Sequence, residues 1–177
     1  MQKSSWVLDP KHSKIGFKIR HILIATVVGH FTGIEASMEI QDDAFESATL
    51  HFKAETKSVN TNNKERDQEL KKMVFLDVRR FPYLMFSSTG ITKEKDGHYI
   101  LTGDLTIKGN TRSIQLETTL TMPKPEVGNP PTAQLAINGT LNRKSFGIDW
   151  MVSKDKGGLL AGEEVTIFGD LLFVKQG

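Results

Sequence analysis

Apolar and polar side chains alternate with a period of two along most of this chain, the spacing of strands with one face on a core and the other in water. In the stretch from Lys14 to His21, Lys14, Lys18 and Arg20 fall on one parity and Ile15, Phe17 and Ile19 on the other. Ile34, Ala36, Met38 and Ile40 alternate with Glu35, Ser37, Glu39 and Gln41, and Ala48, Leu50, Phe52 and Ala54 alternate with Thr49, His51, Lys53 and Glu55. Farther along, Leu101, Gly103, Leu105 and Ile107 oppose Thr102, Asp104, Thr106 and Lys108. Ile114, Leu116, Leu120 and Met122 oppose Ser113, Gln115, Glu117 and Thr119, and Leu135, Ile137 and Leu141 follow the same rule. Two segments resist a single parity. Ile22 to Val28 carries no charge, and Val165 to Val174 is apolar on both faces with Asp170 on its wet side, so both are expected to pack twice.

Turn residues divide these runs. Asp96-Gly97 and Gly109-Asn110 tolerate positive φ at short spacing, so Tyr83 to Lys124 reads as a three-stranded meander. Pro123, Pro125, Pro130 and Pro131 bracket a loop, because proline removes ladder donors. One segment breaks the rhythm. Thr61 to Lys72 is rich in helix formers, and Asn62 is placed to cap a helix with Glu65 three residues on, which predicts a helix over about residues 62–72. Its few apolar contacts, Leu70 with Met73 and Phe75 just after it, lay it over a surface or a barrel end. No internal repeat or linker interrupts residues 1–177, which read as one domain.

Composition narrows the classes. The 177 residues are 38% hydrophobic, enough for a core, and their net charge of +2 gives no overall field toward nucleic acid or an anionic membrane. With no cysteine, disulfides, thiolate nucleophiles and Cys-ligated metals are excluded. No apolar run approaches the roughly 20 residues that span a bilayer, and Met1 to Ser5 is polar, with no signal-peptide core after it. The expectation is a cytoplasmic protein, or a periplasmic one if a leader has been trimmed away.

About eight antiparallel strands, one helix and one inward apolar face make an all-β sandwich or closed barrel. A sandwich fills its interior, whereas an eight-stranded barrel can leave room for one small ligand. Ala36, Ala48, Ala54, Gly103, Gly139 and Gly169 all fall on the inward face and together favour a cavity, although a glycine taken singly marks a bulge or a corner. The clean strands turn no charged residue inward, so the ligand is expected to be uncharged, with any anionic head at the mouth.

Specific residues then suggest a family. Trp6-Val7-Leu8-Asp9-Pro10, His12-Ser13, Phe17, His21, Gly29 and Phe31-Thr32-Gly33 resemble the opening of YceI-like proteins. The middle of the chain is similar too: Ser58, Thr61, Arg66-Asp67, Leu70, Phe75, Asp77 and Phe81-Pro82, then Gly103 to Gly109. Arg143, Phe146 and Gly147 resemble the family's C-terminal motif. The resemblance implies an extended lipocalin-like antiparallel β-barrel with one appended helix, binding a polyisoprenoid or similar long-chain lipid in an apolar tunnel. It also makes a homodimer plausible. Burying forty carbons at roughly 0.8 kcal/mol each would exceed the noncovalent ceiling of about 21 kcal/mol, so ordering of the flexible tail must offset much of the gain. Ordinary affinity and tolerance of several chain lengths follow.

The expected ligand wall is Ile15, Phe17, Ile19, Leu50, Phe52, Leu101, Leu105, Ile107, Ile114, Leu116, Leu135, Ile137 and Leu141, with Phe75, Phe81 and Phe86 near the helix end. His21 follows the inward parity as the one polar candidate, a satisfied core histidine or a hydrogen-bonding partner of a ligand head. His12 falls on the other parity, so no metal is assigned. Arg66 and Asp67, adjacent in the predicted helix, cannot face one another. They are expected to form salt bridges fastening helix to barrel, with a polar rim for a head group as the alternative. Lys108-Gly109-Asn110-Thr111 lacks the spacing of a phosphate loop, and Trp150 is expected in the core. Asp9, Asp77 and Asp149 are not brought together, and no nucleophile has a base partner, so no catalysis and no cofactor are expected. The function expected is sequestration or transport of a lipid, isoprenoid quinone precursor or fatty-chain amphiphile. The rival is a stress-related interaction module with a packed barrel.

Overall fold

The computed structural model describes residues 1–21, 26–148 and 161–177, the side chains of His21 and Ala161 excepted. Among the described residues eleven strands form one antiparallel sheet. They are β1 (Lys3–Leu8), β2 (Lys14–His21), β3 (Val27–Phe31), β4 (Ile34–Gln41), β5 (Ala44–Glu55), β6 (Val59–Asn60), β7 (Tyr83–Lys95), β8 (His98–Ile107), β9 (Asn110–Thr121), β10 (Thr132–Asn142) and β11 (Ala161–Lys175). The order β1-β4-β5-β7-β8-β9-β10-β11 closes on itself because β1 also pairs with β11, through Trp6↔Lys175, Val7↔Val174 and Leu8↔Phe173. Eight strands thus make the barrel.

β11 is long enough for two partners on one edge. Its C-terminal end pairs with β1, and the run Val165 to Asp170 pairs with β2, which carries the sheet on through β3 to β6. The switch occurs where β1 gives way to β2. There the Asp9 amide donates to the Leu172 carbonyl at 2.8 Å, and the Ser13 hydroxyl accepts from the Leu172 amide at 2.9 Å. The opening residues Asp9 to Ser13 therefore join two halves of a broken strand without leaving β11 unpaired.

The interior differs between the two ends. At the end bearing the β4–β5 turn, Trp6, Met38, Phe45, Tyr99, Ala133 and Phe173 fill the barrel, all buried, with the Phe45 and Tyr99 rings edge to face at 4.8 Å. Trp6 Nε1 donates to Ser4 Oγ at 3.1 Å, so the indole is buried with its polar atom satisfied. At the opposite end the interior is capped by α1 (Lys64–Leu70) and the turns that follow it, with Leu70 and Phe75 facing in.

The parity prediction holds through β4, whose burial alternates without exception, and through β8. The meander is β7, β8 and β9, as expected. Its second turn is built on Lys108 and Gly109, both at positive φ (52° and 74°), one residue earlier than the Gly109-Asn110 predicted. Ile107 pairs with Asn110, and a two-residue loop with both φ positive matches the twist of its strands. Met122 lies one residue beyond β9 and is exposed, so the inward parity stops at Leu120.

The helix is shorter than predicted. It begins at Lys64 because Asn63, not Asn62, is the cap: the Asn63 side chain accepts from the Arg66 amide at 3.0 Å, while Asn62 sits at φ 59° outside the helix. Nor, among the described residues, do Arg66 and Asp67 make salt bridges to the barrel. Both converge on Thr61, where Asp67 Oδ1 accepts from its amide and hydroxyl (2.8 and 2.6 Å) and Arg66 donates to its hydroxyl and carbonyl (2.9 and 2.8 Å). Ile22 to Ala25, Asp149 and Trp150 lie outside the described residues.

Candidate functional site

Beneath α1 lies an apolar cavity of about 160 Å³, and the free space within its walls, counted out to the open mouth, is about 1250 Å³. Its floor is a layer of leucines, Leu50 of β5, Leu101 of β8, Leu116 of β9, Leu135 of β10 and Leu171 of β11, each no more than 5% exposed. Below that layer the packed half begins, and none of its aromatic rings reaches the cavity. The roof is Leu70, Phe75 and Leu76. Half-buried Phe17, Ile19, Phe31, Ile114, Leu141 and Ile148 mark where the bore opens toward water.

The wall comes from strands on every side. β2 contributes Ile15, Phe17 and Ile19, β5 Leu50 and Phe52, and β7 Phe86. Leu101, Leu105 and Ile107 come from β8, Ile114 and Leu116 from β9, and Leu135, Ile137 and Leu141 from β10. The structure therefore gathers fifteen sequence-predicted positions, Phe75 included, around one hollow. Phe81 is not among them. It lies outside, its ring against Gly109 and beneath the Arg80 guanidinium at 5.2 Å, because Pro82 and the start of β7 carry it past the rim. The side chain of His21 lies outside the described residues.

The small inward residues do not make the hollow. None of Ala36, Ala48, Ala54, Gly103, Gly139 or Gly169 lines it. A Cβ on Gly103 would stand 2.3 Å from Phe86 Cζ, and one on Gly139 2.6 Å from Leu116 Cδ2, so neighbouring side chains already occupy that space. The void exists because the packed aromatic layer of the other end stops at the leucine floor and the roof residues Leu70, Phe75 and Leu76 stand off from it.

Sequence reasoning passed over Phe31, Leu84, Val165, Ile167, Leu171 and Ile148, and above all Arg143. Among the described residues Arg143 is the only charged side chain in the wall, 4% exposed, on a short 3-10 turn (Arg143–Phe146) after β10. Its Nε donates to the Gly162 carbonyl at 2.9 Å and a terminal nitrogen to the Ile148 carbonyl at 2.8 Å. The guanidinium is thus directed into backbone and its stem toward the bore, which remains oily. Parity could not find it, since it sits past the end of a strand.

The histidines outside the bore are otherwise engaged. His12 Nδ1 meets Asp9 Oδ2 at 2.7 Å, an interaction that holds the Asp9 carboxyl below its usual range. His30 packs edge-on against Phe168 at 6.0 Å, and burial, with Lys14 nearby, pulls its pKa down. Among the described residues no three His, Asp or Glu side chains come together as a metal site, and no helix is long and apolar enough to cross a membrane.

Comparison with known proteins places this architecture. The family model of the YceI-like domain matches residues 6–173. A UPF0312 protein of Yersinia pestis (strain Pestoides F) is 33% identical over 144 residues, covering 79% of this chain and 72% of that protein. A UPF0312 protein of Staphylococcus aureus (strain N315) is 28% identical over 164 residues and 92% of each chain. Among solved structures, Burkholderia cenocepacia BcnA superimposes with a TM-score of 0.80 at 19% identity, covering 93% of this chain and 98% of that one. A polyisoprenoid binding domain from Saccharophagus degradans, implicated in plant cell wall breakdown, gives 0.70 at 11% identity, covering 97% and 98%.

Proposed function

The chain belongs to the YceI-like family, and from that premise we propose that it holds a long-chain apolar lipid, an isoprenoid or a fatty-chain molecule, by its tail in the bore beneath α1 and releases it unaltered. The observation that carries this reading is a hollow walled almost wholly by aliphatic and aromatic side chains from β2, β5, β7, β8, β9, β10 and β11. Apolar cavities of about 150 Å³ stay dry and take up hydrocarbon guests, so a void of this size and lining favours an oily ligand over water. The polyisoprenoid-binding relative of similar fold supports the same ligand class.

Geometry limits how much of the tail is enclosed. The leucine floor stops the bore at mid-barrel, so a long tail folds back or leaves part of itself at the mouth. With its charge tied to two backbone carbonyls, Arg143 supplies no acid, base or nucleophile, and the reading is binding without chemistry.

Organic extraction of protein purified from cells, followed by mass spectrometry, tests the proposal. Long-chain lipid near one equivalent per chain is expected from the unmodified protein. Leu105→Asp is expected to cut that yield at least tenfold, because a carboxylate would stand unpaired in an apolar wall. An extract free of lipid from the unmodified protein overturns the reading in favour of a module that acts through its surface.

A further inference from the structure

We propose that the turn following α1 is a docking surface for an anionic lipid bilayer, set against the roof of the bore. The observation is an inversion of ordinary turn chemistry. The Phe75 amide donates to the Lys72 carbonyl at 3.0 Å, so Lys72 to Phe75 is a tight turn whose two central residues are Met73 and Val74. Turn centres normally carry Gly, Asn, Asp or Ser, yet here two apolar side chains stand 66% and 54% exposed. The turn is well braced. The Leu76 amide donates to the Leu70 carbonyl, and the Asp77 and Val78 amides donate to the Lys72 and Lys71 carbonyls, at 3.0 to 3.2 Å. Met73 and Val74 are therefore held outward by a fixed backbone.

Charge identifies the occupant. Residues 71–80 contain Lys71, Lys72, Arg79 and Arg80 against one acid, Asp77, a local excess larger than the net +2 of the whole chain. Asp77 is buried and faces Arg80, and Lys72 is paired with Glu69, leaving Lys71 and Arg79 as cations of the segment with no ion pair within it. A protruding apolar pair flanked by cations suits the interface of an anionic membrane, where methyl and thioether groups enter the acyl boundary and lysine and arginine meet phosphates. A purely apolar partner would not select for the cations, and a nucleic acid would not select for Met73 and Val74.

Position gives the surface its use, and here the inference rests on the lipid-binding reading. Leu70, Phe75 and Leu76, flanking the exposed pair in the chain, line the bore. A bilayer touched by Met73 and Val74 is thus one short segment away from the apolar wall, and a tail could pass between them with little exposure to water.

Vesicle flotation tests this, using phosphatidylcholine alone and phosphatidylcholine with 30% phosphatidylglycerol. The unmodified chain is expected to float with the anionic vesicles, to stay behind with neutral ones, and to be released at high salt. Met73→Ser with Val74→Ser is expected to weaken flotation about tenfold, and Lys71→Glu with Arg79→Glu to abolish it. Each cation contributes about fivefold to such partitioning. Met73, Val74 and Arg79 are exposed, and half-buried Lys71 lines no part of the bore, so both variants should retain their extracted lipid and circular dichroism. Flotation that ignores vesicle charge, or variants that float like the parent, overturn the proposal. A parent that carries lipid but never floats removes the docking surface and leaves the carrier reading standing, whereas flotation without extractable lipid does the reverse.

Discussion

At the scale of the residue, Arg143 shows how a charge can line an oily cavity without wetting it. Its nitrogens are turned into the Gly162 and Ile148 carbonyls, so the guanidinium ties the chain after β10 to the start of β11. Replacing it with methionine keeps the stem and deletes the fork. Arg143→Met is expected to lower unfolding free energy by about 2 to 3 kcal/mol, since two part-buried carbonyls lose charged donors. Arg143→Lys should recover less than half of that, because an ammonium cannot reach both in the guanidinium's fixed geometry. Urea denaturation of the three proteins checks the order. The sequence showed Arg143 as a resemblance to a family motif and nothing more. A residue beyond the last alternating position has no parity to reveal its direction. Phe81 misled for a related reason: aromatic character near the helix end argued for the wall, but the side chain's direction depends on how Pro82 leads into β7.

Elements were more legible than their ends. Strands with charges on one parity were readable because water, by claiming those side chains, fixes the opposite face inward. Turns and helix caps were readable only to within a residue, since Asn62 and Asn63 are chemically equivalent caps and tertiary contacts choose between them. The inward glycines taught something different. Their role is to admit a neighbour's side chain, the Phe86 ring at Gly103, where a Cβ would also come within 2.6 Å of the Ser87 carbonyl on β7. Gly103→Ala is accordingly expected to destabilise the protein by about 1 to 3 kcal/mol through overpacking. Phe86 would be displaced into the bore, so lipid recovered by extraction should fall as well. A variant as stable as the parent in urea would show that β7 and β8 have slack at this crossing.

For the molecule as a whole, one half of the barrel supplies a solid core and the other a vacancy. Neither a sandwich-like filled interior nor an open tube describes it, and the sequence could not choose, because inward parity reads the same whether opposing side chains meet or stop short. A division of this kind predicts that stability and binding separate. Protein stripped of lipid should stay folded on the Trp6, Met38 and Phe173 core, while added ligand at a hundred times its dissociation constant should stabilise it by about 2.7 kcal/mol. In a chain of this size that corresponds to a rise in Tm of roughly 5 to 11 °C. Calorimetry on stripped and reloaded protein gives the number, and an unchanged melting curve with bound lipid would show that folded and unfolded chains take it up equally.

The seam between β1 and β11 carries a consequence for how the protein is made. On one edge β1 pairs early with β4, but the partners that close the barrel on Trp6, Val7 and Leu8 are Lys175, Val174 and Phe173, far downstream in β11. A growing chain can assemble the meander from neighbouring hairpins, but its cylinder stays unrolled, with the oily inner face bare, until β11 has been synthesised. Closure is then a late event in folding, and the interval before it is when this protein most needs a chaperone.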